Sequence, residues 1–235
     1  MATTIVFVPG AWHRPEIWSR VTSLLPFKTV CPALPTTTGS GTFKDDIDAV
    51  RAPIQAEIAS GNNVVVVAHS YGSVPASSAL RGLTSGSPRV IGFIGIATGW
   101  ATIGKSFNDA FEGKPPPIWE IKNGLVELTI DPRELFYHDV DDADQWVAKL
   151  DKQSAEAFDG GEHVYPGWKE VPAWYLATIE DRALPFQAQM MFVRQAQAEG
   201  DVTIREIAAS HSPMLSKPKE TADFIQEAVR AFQKS

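Results

Sequence analysis

Ser70 lies between an apolar run and a predicted helix. Residues 64–67 are four consecutive valines and predict a strand buried on both faces. Residues 68–72 then predict a sharp turn, with Ala68 at a position where glycine is usual, and residues 74–83 predict a helix. A serine on such a turn holds its hydroxyl above the sheet, near the amides of the new helix. Ser70 is therefore the candidate nucleophile, although a serine that only caps a helix would fit the same position.

Histidines are the natural partners of such a serine, whose hydroxyl attacks only when a base takes its proton and a carboxylate orients that base. In serine hydrolases with this turn, the chain order is serine, acid, histidine. His211 follows the last predicted strand and precedes the last helix, so it is the preferred base. His138 and His163 lie in a long segment without a strand pattern. We assign His69 to a structural role and His13 to the mouth of the binding pocket.

Two adjacent carboxylates compete for the role of the acid. Glu180 and Asp181 both follow the predicted strand that precedes the strand of His211. Asp181 opens the turn before the helix that starts near Pro185, the position that an orienting acid usually takes, and we favour it over Glu180. Both side chains would equally suit a solvated turn.

The negatively charged oxygen that forms during acyl transfer needs amide donors. The turn supplies the backbone N–H of Tyr71. The loop after the first strand supplies the second donor, because Gly10 lets the backbone approach closely. We predict the amide of Ala11 in this role, with Trp12 as the reserve, while an ordinary tight turn with an exposed tryptophan is the simpler interpretation.

Short apolar runs alternate with amphipathic stretches, which is typical of a parallel sheet with crossover helices. The predicted strands span residues 4–8, 28–31, 63–68, 90–96, 173–177 and 202–206. The predicted helices span residues 16–24, 42–60, 74–83, 186–197 and 217–233. The fold class is therefore α/β, with a mostly parallel, doubly wound sheet. At 235 residues, the chain suits a single domain, residues 1–235.

One segment, residues about 100–170, interrupts the alternation and is rich in aromatic residues. We predict a helical cap inserted after the fourth core strand, because long insertions in such folds usually lie over the carboxyl ends of the strands. A peripheral lobe with its own small core is the alternative. The candidate substrate-binding residues are Trp12, His13, Trp100, Phe136, Tyr137 and His138.

The composition argues against several kinds of partner and site. A formal net charge of −7 disfavours nucleic acid and anionic membrane surfaces. The single cysteine, Cys31, excludes a disulfide within the chain and a cysteine-rich metal site. The first residues show neither a basic start nor a long apolar stretch, so we expect a cytoplasmic protein that does not associate with membranes.

These motifs together resemble those of the α/β-hydrolase superfamily, in particular the compact branch with salicylate-type methylesterases, hydroxynitrile lyases and their microbial relatives. The resemblance spans the chain and rests on residues 7–13, 68–72, 178–185 and 210–213, together with Trp18. It implies a triad and an oxyanion hole made by Ser70, Asp181, His211, Ala11 and Tyr71.

Three positions depart from the pattern of this branch. Pro9 replaces a usual histidine, and Gly10 and Ser212 replace a threonine and a lysine of the lyases. A cyanohydrin lyase is therefore disfavoured. We predict a serine esterase or lactonase that acts on a small, largely apolar molecule and needs neither a metal nor an organic cofactor.

The same fold hosts many chemistries, so two alternatives stay open. One is a non-hydrolytic or carbon–carbon bond-cleaving enzyme, and the other is a ligand receptor on this scaffold. The predicted partner is the small-molecule substrate, and a homodimer is compatible with the sequence.

Overall fold

The computed structural model describes residues 1–111 and 117–234, so residues 112–116 of the predicted cap lie outside the described residues. The described strands are β1 Thr3–Val8, β2 Lys28–Val30, β3 Asn63–His69, β4 Val90–Ile96, β5 Trp119–Lys122, β6 Leu125–Leu128, β7 Gln153–Ser154, β8 Ala173–Thr178 and β9 Val202–Ile207. The described α-helices are α1 Ser19–Thr22, α2 Phe43–Ala59, α3 Ser73–Ala79, α4 Pro132–Phe136, α5 Ala143–Val147, α6 Phe186–Gln197, α7 Pro213–Ser216 and α8 Pro218–Phe232.

Short 3₁₀ turns connect many of these elements. They span Pro15–Trp18, Pro35–Thr38, Ser70–Gly72, Asn108–Phe111, Ala155–Phe158, Gly161–His163 and Gly167–Glu170. The turn at Ser70–Gly72 joins β3 directly to α3, as the sequence predicts for the candidate nucleophile.

The main sheet has six parallel strands in the order β2-β1-β3-β4-β8-β9. All six residues of β1, and six of the seven in β3, are buried, as expected for a sheet covered on both faces. The six core strands predicted from the sequence are confirmed to within one residue at each end. Parallel pairing brings the carboxyl ends of all six strands to one edge, where the loops that carry the candidate residues meet.

Two predicted helices are shorter than expected. The first, predicted over residues 16–24, is a 3₁₀ turn followed by the four residues of α1. The second, predicted over residues 74–83, ends at Ala79, and the chain soon passes through Gly82 in the left-handed conformation at φ 73°. A left-handed residue cannot continue a right-handed helix.

The insertion lies after β4, as predicted, and contains α4 and α5. It also contains a three-stranded antiparallel sheet, β5-β6-β7, which the sequence did not predict. These strands have only two to four residues, so their alternation of buried and exposed positions is too brief to be recognised. A purely helical cap is thus the part of the prediction that the structure corrects.

Candidate active site

Ser70 is held in a conformation that favours glycine, with φ at 51°. Such a residue costs on the order of 1–3 kcal/mol and is found mainly at functional sites. The loop after β1 passes directly behind the turn. A Cβ at Gly72 would lie 2.1 Å from the carbonyl oxygen of Pro9, so only glycine fits there. The sequence of the turn thus accounts for the sharp change of direction that exposes the Ser70 side chain.

A hydroxyl from the next strand fixes the backbone of the turn. Thr98, just after β4, donates its Oγ1–H to the carbonyl oxygen of Ser70 at 2.6 Å. The Ser73 hydroxyl donates to the carbonyl of Gly99 at 2.9 Å. The sequence analysis singled out neither side chain. The Thr98 contact holds the backbone of Ser70 itself, and the Ser73 contact ties the start of α3 to the loop after β4.

His211 and Asp181 form a direct hydrogen bond, with 2.8 Å between Nδ1 and Oδ2 and side chains only 4% and 0% exposed. The carboxylate is fixed on both oxygens. Oδ1 accepts the backbone amides of Ala183 and Leu184 at 2.8 Å each, and Oδ2 also accepts the Thr178 hydroxyl at 2.8 Å. Because Nδ1–H donates to the carboxylate, Nε2 of His211 is free to accept a proton.

Gln189 is a further member of this network. Its amide nitrogen lies 3.1 Å from Asp181 Oδ2 and 2.7 Å from the carbonyl oxygen of Leu184, and its amide oxygen accepts the Thr178 N–H at 3.1 Å. The side chain is fully buried. The sequence carries a signal for it, because Gln189 shares the core-facing spacing of Val193 in α6, and a lone polar residue on that face needs a partner.

Glu180 differs from its neighbour in every respect that matters for an acid. Its side chain is exposed, whereas that of Asp181 is buried against His211. Its carbonyl oxygen lies 2.9 Å from His138 Nε2, so His138 braces this turn. His138 was predicted to bind substrate, but it is not among the described residues that line the cavity next to Ser70.

His69 connects the turn to the loop of His211. Its Nε2–H donates to the His211 carbonyl at 2.8 Å, and the two rings lie 4.6 Å apart. Burial, followed by the charges of His211 and His13, holds the pKa of His69 well below its usual value. A neutral His69 adds no positive charge beside His211.

His13 and Tyr137, predicted to bind substrate, lie behind the cavity wall rather than on it. The Nδ1–H of His13 donates to the carbonyl of Ala11 at 2.6 Å, and the hydroxyl of Tyr137 donates to Nε2 of His13 at 2.7 Å. Burial lowers the pKa of His13 to about 4. Two polar groups that satisfy each other in the interior have no donor left for a ligand.

The two predicted oxyanion donors lie on the loops that flank Ser70. Ala11 is buried in the loop after β1, and its N–H meets no acceptor within residues 1–111 and 117–234. The reserve donor is occupied, because the N–H of Trp12 donates to Gln153 Oε1 at 3.0 Å. Tyr71 follows Ser70 directly, and its hydroxyl donates to Asp46 Oδ2 at 2.7 Å.

A cavity of about 660 Å³ opens beside these groups, between the insertion and the sheet edge. Ser70 and His211 both line it. Three of the predicted substrate-binding residues, Trp12, Trp100 and Phe136, also line it. The volume and the aromatic walls are typical of sites for organic ligands. Within the described chain, no group of three or more histidine, cysteine or acidic residues is arranged to hold a metal ion.

Residues 5–224 match the model of the alpha/beta hydrolase family. The chain belongs to this family. The alpha/beta hydrolase nvfD of Aspergillus novofumigatus is 28% identical over 242 residues, which cover 95% of each chain. A methylesterase from Arabidopsis is 20% identical and superimposes with a TM-score of 0.73 over 97% of this chain and 99% of its own. The predicted α/β-hydrolase fold is thus confirmed, and a methylesterase is among the proteins that share it.

A pyrethroid hydrolase from Sphingobium faniae JZ-2 has the same fold, with a TM-score of 0.75 at 20% identity over 100% of both chains. At such identity the likeness concerns the fold alone. None of the described helices combines the length and apolar character needed to cross a membrane.

Proposed function

We propose that this alpha/beta hydrolase is a serine hydrolase that cleaves a carboxylic ester or lactone of a small, largely apolar molecule. The observation that carries the proposal is the buried bond of 2.8 Å between His211 and Asp181. His211 shares one cavity with Ser70, which stands in a strained turn. A nucleophile, a base and an orienting acid in this relation are the requirements of acyl transfer.

In the first stage of the proposed reaction, the acyl group is transferred to Ser70. His211 Nε2 takes the proton of the Ser70 hydroxyl while Oγ forms a bond with the substrate carbonyl carbon. The carbonyl oxygen becomes negative and is held by the amides of Ala11 and Tyr71. The intermediate then collapses, the C–O bond to the alcohol breaks, and His211 gives its proton to the departing alkoxide.

Water completes the cycle. His211 removes a proton from a water molecule, whose oxygen attacks the acyl group on Ser70, and the serine leaves with the proton returned by His211. An ester yields a carboxylic acid and an alcohol, whereas a lactone yields one hydroxy acid. During both steps His211 is transiently positive, and the Asp181 carboxylate offsets that charge at 2.8 Å.

The comparisons support an ester as the bond that is cleaved. The curated relative from Aspergillus novofumigatus is named a hydrolase, and the Arabidopsis neighbour is a methylesterase. The wall of aromatic side chains around Ser70 favours an apolar substrate body.

A fluorophosphonate probe tests the proposal directly, because it reacts with activated serines. We expect labelling at Ser70 and turnover of p-nitrophenyl esters, aromatic methyl esters or lactones in a graded panel. Ser70→Ala and His211→Ala should abolish nearly all labelling and turnover, while Ser85→Ala, at an exposed serine, should not. Wild-type turnover by a folded Ser70→Ala variant would rule out the nucleophilic mechanism.

Product analysis separates hydrolysis from the two alternatives that the sequence leaves open. A hydrolase yields one acid and one alcohol for each ester consumed. Ser70-dependent carbon–carbon cleavage without ester hydrolysis would indicate the non-hydrolytic chemistry. Tight binding of the panel compounds without any turnover would indicate a receptor.

A further inference from the structure

Trp12 adopts an unusual backbone conformation next to the predicted oxyanion donor Ala11. Its φ is 62°, a value that is rare for a bulky side chain. Such a conformation persists only when surrounding contacts determine it. In this loop the contacts come from the insertion, more than a hundred residues further along the chain.

A single pair of residues in the small antiparallel sheet takes both N–H groups of Trp12. The backbone N–H donates to Gln153 Oε1 at 3.0 Å, and the indole Nε1–H donates to the carbonyl of Val126 at 3.0 Å. Val126 on β6 and Gln153 on β7 face each other across the strands. The N–H of Asp151 donates to the Trp12 carbonyl at 2.9 Å, so the residue is held on every polar group.

These contacts also restrain the peptide group next to the predicted oxyanion donor. The carbonyl oxygen of Ala11 accepts Nδ1–H of His13, and the N–H of the same peptide group, which is that of Trp12, donates to Gln153. The Ala11–Trp12 peptide is therefore held by the loop on one side and by the insertion on the other. It adjoins the Gly10–Ala11 peptide, which carries the N–H of Ala11. Gln153 is fully buried and is not among the described residues that line the cavity.

We propose that Gln153 is a positioning residue for the oxyanion hole. It takes the N–H of Trp12, which holds the loop in the conformation that aims the amide of Ala11 at the developing negative charge. The insertion thus takes part in catalysis through this contact, in addition to covering the cavity. This inference rests on the proposed acyl-transfer function, in which the amide of Ala11 binds the oxyanion.

The effect of Gln153 should appear in kcat and not in KM. A misplaced oxyanion donor leaves substrate binding intact, because the negative oxygen exists only after Ser70 has attacked. Loss of one such donor typically costs about 10²–10³ in kcat. A residue that served only to hold the insertion together would alter KM and thermal stability, with no selective loss in kcat.

The test compares Gln153→Met with Gln145→Met, a matched change at an exposed glutamine of α5 in the same insertion. Using a p-nitrophenyl ester, we expect Gln153→Met to lower kcat about 10²-fold with KM within threefold of wild type. Gln145→Met should leave both constants unchanged. Gln153→Glu keeps an oxygen that can accept the N–H of Trp12, so its kcat should be at least tenfold higher than that of Gln153→Met.

A transition-state analogue gives an independent measurement. An alkylthio trifluoromethyl ketone forms a negatively charged hemiketal with the active serine, whereas the matched methyl ketone binds without that charge. Gln153→Met should weaken the inhibition by the trifluoromethyl ketone at least thirtyfold more than that by the methyl ketone. If Gln153→Met does not fold, Gln153→Asn replaces it, because the shorter side chain withdraws the oxygen from Trp12.

Equal weakening of both ketones, or a folded variant with wild-type kcat, would overturn the role of Gln153. The proposed function fails in a different way, through wild-type turnover by Ser70→Ala. An enzyme that needs Ser70 but tolerates the loss of Gln153 would keep the proposed function and lose only this inference.

Discussion

Glu180 and Asp181 are neighbours in the chain, yet they occupy opposite environments. Asp181 is buried against His211 Nδ1 at 2.8 Å, whereas the side chain of Glu180 points to solvent. Asp181→Asn replaces an acceptor with an amide that can hold the imidazole in the wrong tautomer. We expect kcat to fall by about 10⁴, as such a change does in serine proteases. Steady-state kinetics on one p-nitrophenyl ester measure the loss.

Glu180→Gln is the matched control for that variant, since it makes the same chemical change one residue away. We expect its kcat to stay within about twofold of wild type, because surface substitutions seldom disturb a fold. Thermal unfolding must first show that both variants are folded. A dead Glu180→Gln enzyme beside an active Asp181→Asn enzyme would reverse the assignment of the acid and leave the hydrolase proposal standing.

Residue types and chain order suffice to propose Ser70, Asp181 and His211, because each follows a long core strand whose end is readable from the sequence. The direction of an aromatic or histidine side chain is another matter. His13 and Tyr137 were predicted to face substrate, but they bond to each other in the interior. Whether such a side chain faces the cavity or the interior depends on packing between segments 124 residues apart. A local sequence pattern cannot predict that packing.

At the scale of elements, Gln189 joins α6 to the carboxyl end of β8. Gln189→Met would leave the buried N–H of Thr178 and the half-buried carbonyl of Leu184 without their present partner. Each unsatisfied buried group costs about 1–3 kcal/mol, so we expect the free energy of unfolding to fall by roughly 3 kcal/mol. The kcat should also fall about tenfold, because Asp181 loses one of the donors that orient it.

Gln187, which is exposed on the same helix, provides the control. Gln187→Met should unfold at the wild-type urea concentration, and urea titrations of both variants give the comparison. Equal midpoints for the two variants would show that the Gln189 network contributes nothing to stability.

The strands and helices differ in how well they can be predicted from their local sequences. The valine run of β3 and the amphipathic pattern of α6 each extend over several turns or pleats, and both elements were predicted closely. The strands β5, β6 and β7 are stabilised by each other and by the distant Trp12, whose indole bonds to β6. Such short strands depend on tertiary contacts, so their local sequences carry little signal.

The net charge of the protein and the apolar lining of the cavity together determine whether a charged substrate can bind. The cavity lies under aromatic side chains such as Trp100 and Trp119, and the chain has a formal net charge of −7. An anionic substrate would lose hydration in an apolar cavity and be repelled during approach. We expect kcat/KM for a neutral ester to exceed that for its dicarboxylate analogue at least tenfold. Faster cleavage of the charged analogue at low ionic strength would contradict the apolar assignment.

Stability at acid pH depends on histidines that the fold buries in the neutral form. Burial lowers the pKa of His13 from 6.5 to about 4 and that of His69 well below its usual value. Between pH 6.5 and about 4, the unfolded chain binds a proton at His13 that the folded chain does not. Stability is therefore complete above pH 6.5 and falls as the pH drops through this window.

His13→Gln tests this linkage, because glutamine offers a donor and an acceptor but does not titrate. Each pH unit of the window is worth about 1.4 kcal/mol, so between pH 7 and pH 5 the wild type should lose about 2 kcal/mol more than His13→Gln. Urea unfolding at pH 7, 6 and 5 measures the difference. His163→Gln, at an exposed histidine, should follow the wild-type curve. If His13→Gln declines in parallel with the wild type down to pH 5, then His13 takes up its proton in the folded protein, and its bond with Tyr137 cannot join two neutral groups.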